Sequence, residues 1–500
     1  MSGIHRRLAG GLRLAAVVAG YGLLSSCTVN PATGERELTL MSPAQEKAIG
    51  AEQHPKLLEQ FGGPYDDPAT AAYVATVGGR MAANSELAAQ GFTFTLLNSK
   101  IVNAFALPGG YVYISRGLLA LMNDEAELAS VLGHEVGHVT ARHAARRQTQ
   151  SVFGGILGMG VGILTGSSEL GRLASQGAQV YLLSYSRGQE YEADTLGVRY
   201  MARAGYDPYG AARMLASLGR DSALQAKILG RDEADQIPSW ARTHPLAEDR
   251  VARATQAARA TGIEPGTGAR NQAAFLDAID GLVYDDSPAQ GVVRGREFWH
   301  PKFGFMFAVP DGFALQNGET SVLASGPGEA AILFSGGRIQ AGQDIASYMN
   351  ALWSKLSNGK GQPLGNLERI KVNGMDAATG TTRLQSQDGA MDLRVVAIRF
   401  SETQAFHFLF LSSTGQTAGL ADAYRRSTYS FRRLTAEEAA GIKGRHIAIV
   451  TVAPGDSAAS LAQRMAFDNH RLEHFLVLNG LEDASALRAG QRVKLVVFEP

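Results

Sequence analysis

Two histidines with a glutamate between them give the first indication of chemistry in this chain. His134 and His138 stand four positions apart, and Glu135 lies between them in the stretch 131–140. On a helix this spacing puts both imidazoles on one face, where they can take two corners of a tetrahedral zinc site. Glu135 lies about 100° round the same helix and can act as general base toward a water on the open corner. A chance pair on a core-facing helix would look the same, so a third ligand is needed.

A pair of carboxylates farther along the chain supplies that ligand. Glu190 and Asp194 stand four positions apart and would share one face of a second helix, predicted over residues 179–204. One carboxylate completes the three protein ligands of a catalytic zinc site, and the other can orient a ligand imidazole through its second ring nitrogen. Glu192 would point away from the face that carries Asp194, so the spacing favours Glu190. Together these residues predict one Zn²⁺ ion per chain.

The neighbouring residues predict the elements that would hold this site. Asn123 and Asp124 can cap the first helix, and its last turn is basic, as the helix dipole prefers. Residues 92–98 and 111–115 alternate well enough to be strands. The apolar, glycine-rich stretch 153–166 allows three interpretations: a mobile flap, a segment that dips into lipid, or a buried helix.

Two further stretches accompany the metal motifs. In chain order the four are residues 103–119, the His-Glu-x-x-His pair at 134–138, the Ser-Arg-x-x-Glu-x-x-Ala-Asp run at 186–194, and Thr-His-Pro at 243–245 followed by Arg250. Together they resemble the gluzincin endopeptidases that include HtpX, the CAAX prenyl endopeptidase and periplasmic BepA. The resemblance covers about residues 40–260 and implies a mainly α peptidase domain with a small β-sheet. It implies that His134, His138 and Glu190 bind the metal. Glu135 would be the catalytic base, and Asp194 would support His134.

The same resemblance implies an edge strand beside the metal that pairs with the extended backbone of a substrate. We expect residues 111–115 to be this strand. The candidate substrate-binding residues are therefore Asn103, Tyr111, Val112 and Tyr113. Without the resemblance, an ordinary hairpin packed under the metal helix explains the pattern equally well.

His244 lies between two predicted helices, directly before a proline. Its imidazole has two candidate functional roles. It can stabilise the oxyanion that develops during peptide hydrolysis, or it can bind the fourth corner of the zinc site and keep the enzyme latent. The resemblance favours the latch. A structural histidine that caps the next helix is the alternative, and the sequence does not decide between them.

The N-terminal residues 1–26 are typical of a lipoprotein signal peptide, with a basic start and an apolar run too short to span a bilayer. They end in Leu-Ser-Ser before Cys27, which resembles the lipobox at which signal peptidase leaves an acylated cysteine. Cys27 is the only cysteine, so disulfides contribute nothing to this fold. Thr28 follows Cys27 at the position where an aspartate would resemble a signal for retention in the inner membrane. We therefore expect a lipid anchor on the periplasmic face of the outer membrane and a tether over 27–41. A stray thiol after an uncleaved anchor is the alternative.

Composition and pattern indicate a multidomain protein. The formal net charge is +0, with 47 basic and 47 acidic residues, which gives nucleic-acid binding no support. Residues 445–500 resemble a small βααβ LysM fold, a type that often binds N-acetylglucosamine in peptidoglycan. Wall binding is one expectation for this end of the chain, and protein docking is the other. The preceding segments are a peptidase domain at 42–262, a linker helix at 263–290 and an α+β domain of unknown role at 291–435.

These residues indicate zinc-dependent hydrolysis of peptide bonds. Pairing along an edge strand suits unfolded segments, so unfolded or misassembled envelope proteins are the substrates that the resemblance implies. A second hypothesis is a lipid-anchored scaffold or chaperone at the cell wall, with a latched and rarely used zinc site. A zinc amidase acting on peptidoglycan is a weaker third, because only the LysM-like end of the chain supports it.

Overall fold

The computed structural model describes residues 27–39, 41–147, 149, 185–228, 240, 244, 249–318, 321–357, 362–386 and 389–499. The chain divides into two compact units. One comprises Met1–Leu282 and Ile447–Val497, and the other Val283–His446 and Phe498–Pro500. The predicted signal peptide and the glycine-rich stretch 153–166 lie outside the described residues. Within the described part of the chain, every helix is too short or too polar to cross a bilayer.

The first unit contains the helical body that carries the predicted metal residues. Its helices are α1 (Pro43–Gln60), α2 (Pro68–Ala83), α3 (Arg116–Leu121), α4 (Glu125–Thr140), α5 (Arg187–Arg203), α6 (Gly210–Ile228), α7 (Arg250–Ala260) and α8 (Gln272–Ile279). Several begin at a side chain that accepts hydrogen bonds from first-turn amides, including Asp67, Asp124 and Ser186. α8 buries Phe275 and Leu276 and packs against α2. The expected linker helix is therefore part of this unit.

The N-terminal segment of the first unit is a hairpin. β1 (Cys27–Val29) and β2 (Arg36–Leu38) pair antiparallel. Glu37 in β2 forms an ion pair with Arg146, at 3.5 Å from the arginine Nε. The main chain of Met41 accepts a hydrogen bond of 2.7 Å from the Arg142 side chain. Residues that the sequence predicted as a tether are therefore bound to the folded body.

A small sheet lies beside the helices and corrects one prediction. Its strands are β3 (Thr93–Leu97), β4 (Ala104–Leu107) and β5 (Tyr111–Ser115), in the order β3-β5-β4. β5 pairs parallel with β3 and antiparallel with β4. The prediction that residues 111–115 form an edge strand is wrong, because hydrogen bonds occupy both edges of β5. The edge strands are β3 and β4, and β4 is the edge that packs against α4. No local pattern distinguishes an edge strand from a central one, since long-range pairing sets the order of strands.

The second unit is an α+β fold, as predicted, built on a seven-stranded antiparallel sheet of order β10-β11-β12-β16-β15-β14-β13. Its strands are β6 (Val283–Tyr284), β7 (Val292–Arg294), β8 (Glu297–His300), β9 (Phe305–Ala308), β10 (Ala314–Asn317), β11 (Ser321–Ser325), β12 (Ala331–Arg338), β13 (Gly365–Val372), β14 (Met375–Ser386), β15 (Gly389–Arg399), β16 (Gln404–Ser413) and β17 (Arg432–Arg433). Helices α9 (Ile345–Leu356), α10 (Thr417–Ser430) and α11 (Ala436–Ala440) complete it. A cluster rich in phenylalanine, including Phe305, Phe334 and Phe408, forms its main core.

The C-terminal residues have the predicted order of strand, two helices and strand. The elements are β18 (Arg445–Thr451), α12 (Ala458–Gln463), α13 (Arg471–Leu478) and β19 (Arg492–Phe498). β18 and β19 are neighbours in one sheet. Residues 447–497, called the C-terminal module below, belong to the first unit. The LysM identity of this module stays a prediction.

Asp124 provides a stability test, because its carboxylate is buried and receives three kinds of donor. It accepts from the Glu127 amide at 2.9 Å, from Arg213 at 3.2 Å and from Arg270 at 2.7 Å. We expect Asp124→Ala to lower the local stability of α4 by about 3–5 kcal/mol, the usual cost of breaking a buried pair. Asp67→Ala, at the less buried cap of α2, is the control, with an expected loss of about 1 kcal/mol in α2. Amide hydrogen exchange in each helix measures both. Equal losses would mean that the buried ion pairs contribute nothing.

Candidate metal centre

The metal helix α4 starts at an N-terminus that side chains cap. The Asp124 carboxylate accepts from the Glu127 amide at 2.9 Å, and the Glu127 carboxylate accepts from the Asn123 amide at 2.8 Å. This reciprocal bonding satisfies donors that a helix leaves free in its first turn. The helix is buried along nearly its whole length, and so are the three predicted residues that it carries: His134, Glu135 and His138.

The second metal helix, α5, approaches α4 closely. A Ser186–Gln189 capping box begins α5 and fixes the frame of Glu190 and Asp194. Glycines line the contact between the helices. A Cβ atom at Gly197 would lie 2.9 Å from the His134 amide nitrogen, and one at Gly137 would lie 3.1 Å from the Ala193 carbonyl oxygen. This close packing brings Glu190 up to the two histidines.

Four predicted side chains converge in the described part of the chain: His134, His138, Glu190 and His244. All four are buried, and their ligand atoms lie within 4.8 Å of one another. The two Nε2 atoms of His134 and His138 are 2.9 Å apart. Glu190 places one oxygen 3.4 Å from Nε2 of His138 and the other 3.6 Å from Nε2 of His134. Ligand atoms around a tetrahedral zinc would lie about 3.3 Å from one another.

The protonation pattern of this cluster favours a cation at its centre. His134 Nδ1 lies 2.8 Å from Asp194 Oδ1 and donates to it, which leaves Nε2 as the nitrogen that can bind a metal. That nitrogen faces the Nε2 of His138 and one oxygen of Glu190, whose other oxygen faces the Nε2 of His138. Burial is the main cause that holds the pKa of His138 well below its usual range, so this ring is neutral, as a metal ligand must be. Converging lone pairs in a buried site are the arrangement that a bound metal ion requires.

Asp194 supports His134, as predicted, and Arg250 in turn holds Asp194. The guanidinium donates to the two Asp194 oxygens at 2.9 and 2.8 Å and lies 3.1 Å from Glu190. Burial alone would raise the pKa of Asp194, but the His134 hydrogen bond and the Arg250 charge lower it. The sequence placed Arg250 in a motif without giving it a role. The structure shows that its positive charge lies against both Asp194 and the proposed ligand Glu190.

A second support was missed from the sequence. His138 Nδ1 lies 2.7 Å from Nδ1 of His143, and His143 Nε2 lies 3.2 Å from Glu192. Arg146 donates to the same Glu192 carboxylate at 2.9 Å. The His143 hydrogen bond is the largest cause that lowers the pKa of Glu192 to about 2. Glu192 lies outside the ligand set, as predicted, yet it orients the ring that contacts a ligand. The expectation of a basic last turn needs correction, because α4 ends at Thr140 and His143 lies beyond it.

Glu135 differs from the other buried groups of the site. Its side chain is fully buried, and neither carboxylate oxygen has a hydrogen-bond partner among the described residues. Its nearest charged neighbour is His244, whose Nε2 lies 3.5 Å away. Burial is the main cause that raises the pKa of Glu135. A carboxylate with both oxygens free to accept, beside the ligand cluster, is suited to take a proton from a water molecule.

His244 joins the cluster from a separate part of the chain. Its Nδ1 lies 3.1 Å from Glu190 and 3.3 Å from Nε2 of His134, and its ring stacks on Trp240. Its Nε2 lies 3.1 Å from the main-chain oxygen of Ala104, in the edge strand β4. Burial alone would lower the pKa of His244, but the Glu190 and Glu135 carboxylates outweigh it and raise the pKa. His244 therefore contacts the metal cluster and the edge strand at once.

Of the predicted substrate-binding residues, Tyr111, Val112 and Tyr113 lie in the central strand β5, and Asn103 directly precedes Ala104, whose oxygen contacts His244. Val112 is buried, Tyr113 bonds His54 of α1 at 2.7 Å, and Tyr111 stacks on the same imidazole. The Asn103 main chain bonds Ser115 in both directions. Tyr111, Val112 and Tyr113 therefore support the edge strand from the central strand of the sheet.

Comparison with known proteins agrees with this geometry. Residues 68–258 match Peptidase family M48. The beta-barrel assembly-enhancing protease of Yersinia pestis is 32% identical over 262 residues, 50% of this chain and 51% of the relative. That of Escherichia coli K12 is 30% identical over 232 residues, 44% and 45% of the two chains. The mitochondrial metalloendopeptidase OMA1 of Arabidopsis thaliana is 35% identical over 169 residues, 34% and 32%. The chain thus spans about half the length or less of these curated relatives.

The His143–Glu192 support predicts a specific loss. We expect Glu192→Gln to weaken zinc binding about tenfold, the lower end of what partners of ligand residues usually contribute. Competition with a chelator of known affinity measures it. Glu86→Gln is the control, because Glu86 also bonds α5 residues, Arg199, Tyr200 and Arg203, without contacting a ligand. Equal zinc affinity in both variants would contradict the role given to Glu192.

Proposed function

Residues 68–258 belong to peptidase family M48, and from this premise we propose that the chain is a zinc-dependent endopeptidase. The observation that carries the proposal is the buried convergence of His134, His138 and Glu190 beside Glu135, whose oxygens are unbonded within the described residues. A structural metal site would have its ligands closed and no free base beside them. The proposed substrates are unfolded or misassembled proteins of the bacterial envelope.

The chemistry assigns one task to each residue. A zinc ion held by His134, His138 and Glu190 would polarise the scissile carbonyl and lower the pKa of the attacking water. Glu135 accepts the proton of that water as the new C–O bond forms. It then gives the proton to the leaving amine as the C–N bond breaks. Asp194 keeps the His134 ring in the tautomer whose Nε2 faces the metal.

We propose that the substrate backbone pairs with the edge strand β4, in place of residues 111–115. One edge of β4 pairs with β5, and its Ala104 oxygen lies close enough to the cluster to reach His244. A substrate segment that adds to the sheet there would run past the zinc ligands. Such pairing needs an extended chain, which favours unfolded segments over folded domains.

His244 is proposed to be a latch. Its Nδ1 stands among the ligand atoms and its Nε2 at the Ala104 oxygen, so one side chain covers a metal position and a backbone acceptor of the edge strand. Both positions are needed for water and substrate. Activation therefore requires the His244 ring to leave, and the energy of its contacts sets how latent the enzyme is.

The proposed location is the periplasmic face of the outer membrane in a Gram-negative cell, with a lipid anchor at Cys27. β1 begins at Cys27, and its hairpin is bonded to the body through Glu37 and Arg146. An acyl chain there would hold the catalytic unit close to the membrane surface. Two relatives are named for enhancing beta-barrel assembly, which supports envelope proteins as substrates. Peptidoglycan binding through the C-terminal module is a further proposal.

The second candidate function is a lipid-anchored scaffold or chaperone at the cell wall. The full burial of His244 within the ligand cluster favours it, because a site held in that state would bind zinc without turning over. The two functions differ in whether Glu135 is needed.

We expect Glu135→Gln to keep zinc and lose about 10²–10⁴-fold of the peptidase rate, the usual contribution of a general base. Zinc content and casein hydrolysis, measured on the chain from residue 28 onward, test this. Wild-type protein that binds zinc and never cleaves would support the scaffold. Absence of zinc from the wild type would refute the metal site itself.

His244→Ala separates a latch from a group that stabilises the transition state. If the ring is a latch, we expect a rise of several-fold in kcat/KM, since the open state no longer competes with the His244 contacts. If the ring stabilises the oxyanion, kcat falls by about 10²–10³. The same casein assay shows whether the rate rises or falls, and a fall in kcat would contradict the latch.

A further inference from the structure

A short segment, residues 115–124, connects the small sheet to the metal helix α4 and is called the joint below. β5 ends at Ser115, which caps α3, and the non-helical residues 122 and 123 lead from α3 to Asp124, the cap of α4. β5 also carries the edge strand β4 through backbone pairing. The joint therefore sets where the edge strand lies relative to His134 and His138.

Lys494, more than three hundred positions later in the chain, closes this joint. Its ammonium donates to the Ala120 oxygen at 2.8 Å and also to the Met122 oxygen. These carbonyls stand at the C-terminal end of α3, where helix oxygens lack partners within the helix. The Lys494 side chain is 0% exposed, and water is excluded from this contact.

Two carboxylates of α4 and its cap act electrostatically on the buried ammonium. Burial is the largest influence on the pKa of Lys494 and lowers it. The carboxylates of Glu127 and Asp124 have the opposite, smaller effect. Glu127 accepts a hydrogen bond of 2.8 Å from the amide of Asn123, which belongs to the joint. The charges of Lys494 and of the first turn of α4 therefore stabilise each other across the joint.

The C-terminal module holds Lys494 in this position. The Asn479 side chain accepts from the Lys494 amide at 2.7 Å and donates to the Lys494 oxygen at 3.0 Å. α13, which ends just before Asn479, packs against α3 and α6. The main chain of Ile447 bonds Gly281 and Leu282, at 2.9 and 2.8 Å. The module is thus fastened to the same unit at Ile447 and along α13, in addition to Lys494.

We propose that the C-terminal module is an intramolecular clamp on the joint, and that Lys494 is a positioning residue that aligns the edge strand with the metal helix. The proposal rests on the proposed peptidase function for its rate measurement. It gives the module a role inside the catalytic unit, whether or not the module also binds the wall.

The clamp acts on alignment and leaves zinc binding intact. His134 lies ten positions beyond Asp124, about 15 Å along the helix, and its partners Asp194 and Arg250 come from α5 and α7. The ligand set is therefore held without Lys494. A shift of the edge strand relative to the metal helix changes where the scissile bond lies, and a displacement of about 1 Å can cost up to about 10² in rate.

The test compares Lys494→Met with Lys227→Met in the chain from residue 28 onward. Lys227 also joins the module to the helical body, by a 2.8 Å ion pair with Glu473, but this pair is exposed. For Lys494→Met we expect full zinc occupancy, a fall of about tenfold in kcat on casein and KM within about twofold. We expect the amides of residues 118–124 to exchange about tenfold faster. Lys227→Met should match the wild type in every measurement.

Three outcomes would overturn the clamp: unchanged kcat in Lys494→Met, a loss of rate that only follows a loss of zinc, or the same changes in Lys227→Met. If Lys494→Met does not fold, a double variant that carries both Glu127→Gln and Lys494→Met is used, because it also removes the carboxylate that acts on the lysine. The double variant is compared with Glu127→Gln alone. Equal kcat in those two would show that Lys494 only balances charge. If the wild type does not cleave, the proposed function fails, and the exchange of residues 118–124 alone decides the clamp.

Discussion

The close approach of the two metal helices is the constraint on which this site depends. Gly197 of α5 passes so near α4 that a Cβ atom would lie 2.9 Å from the His134 amide nitrogen. That approach lets Glu190 place its oxygens 3.4 and 3.6 Å from the histidine nitrogens. A methyl group at Gly197 would push the helices apart, and the ligand set would open, because packed helices have no room to absorb it.

Burial of so many polar groups is tolerated because nearly all of them have partners. Arg250 balances Asp194 and Glu190, and His143 connects a ligand to Glu192. Within the described site, Glu135 is the exception, since both of its oxygens are buried and unbonded. An unpaired buried carboxylate costs stability. Such a cost is expected where a group must be free to react, so the exception coincides with the proposed catalytic base.

Both ends of the described chain contribute to the catalytic unit. Glu37 of the N-terminal hairpin bonds Arg146, which bonds the Glu192 that supports His143. Lys494 reaches the joint before the metal helix from the other end. The region that matches the peptidase family, residues 68–258, contains neither Glu37 nor Lys494. The folded catalytic unit is therefore larger than its family match, and the added parts are placed to affect the site.

Local spacing by itself determined the ligand-bearing faces of the two helices, the cap at Asp124, and the choice of Glu190 over Glu192, whereas the second helix begins at Arg187 rather than at the expected residue 179. These features depend on contacts within one or two helical turns, which the sequence encodes directly. The general α+β character of the second unit followed from strand and helix periodicity in the same way. Tertiary structure alone decided that β4 rather than β5 is the edge strand, that His143 reaches His138, and that Lys494 enters the joint. Each of these depends on packing between distant segments, and no local pattern records which partner a strand or a buried charge will meet.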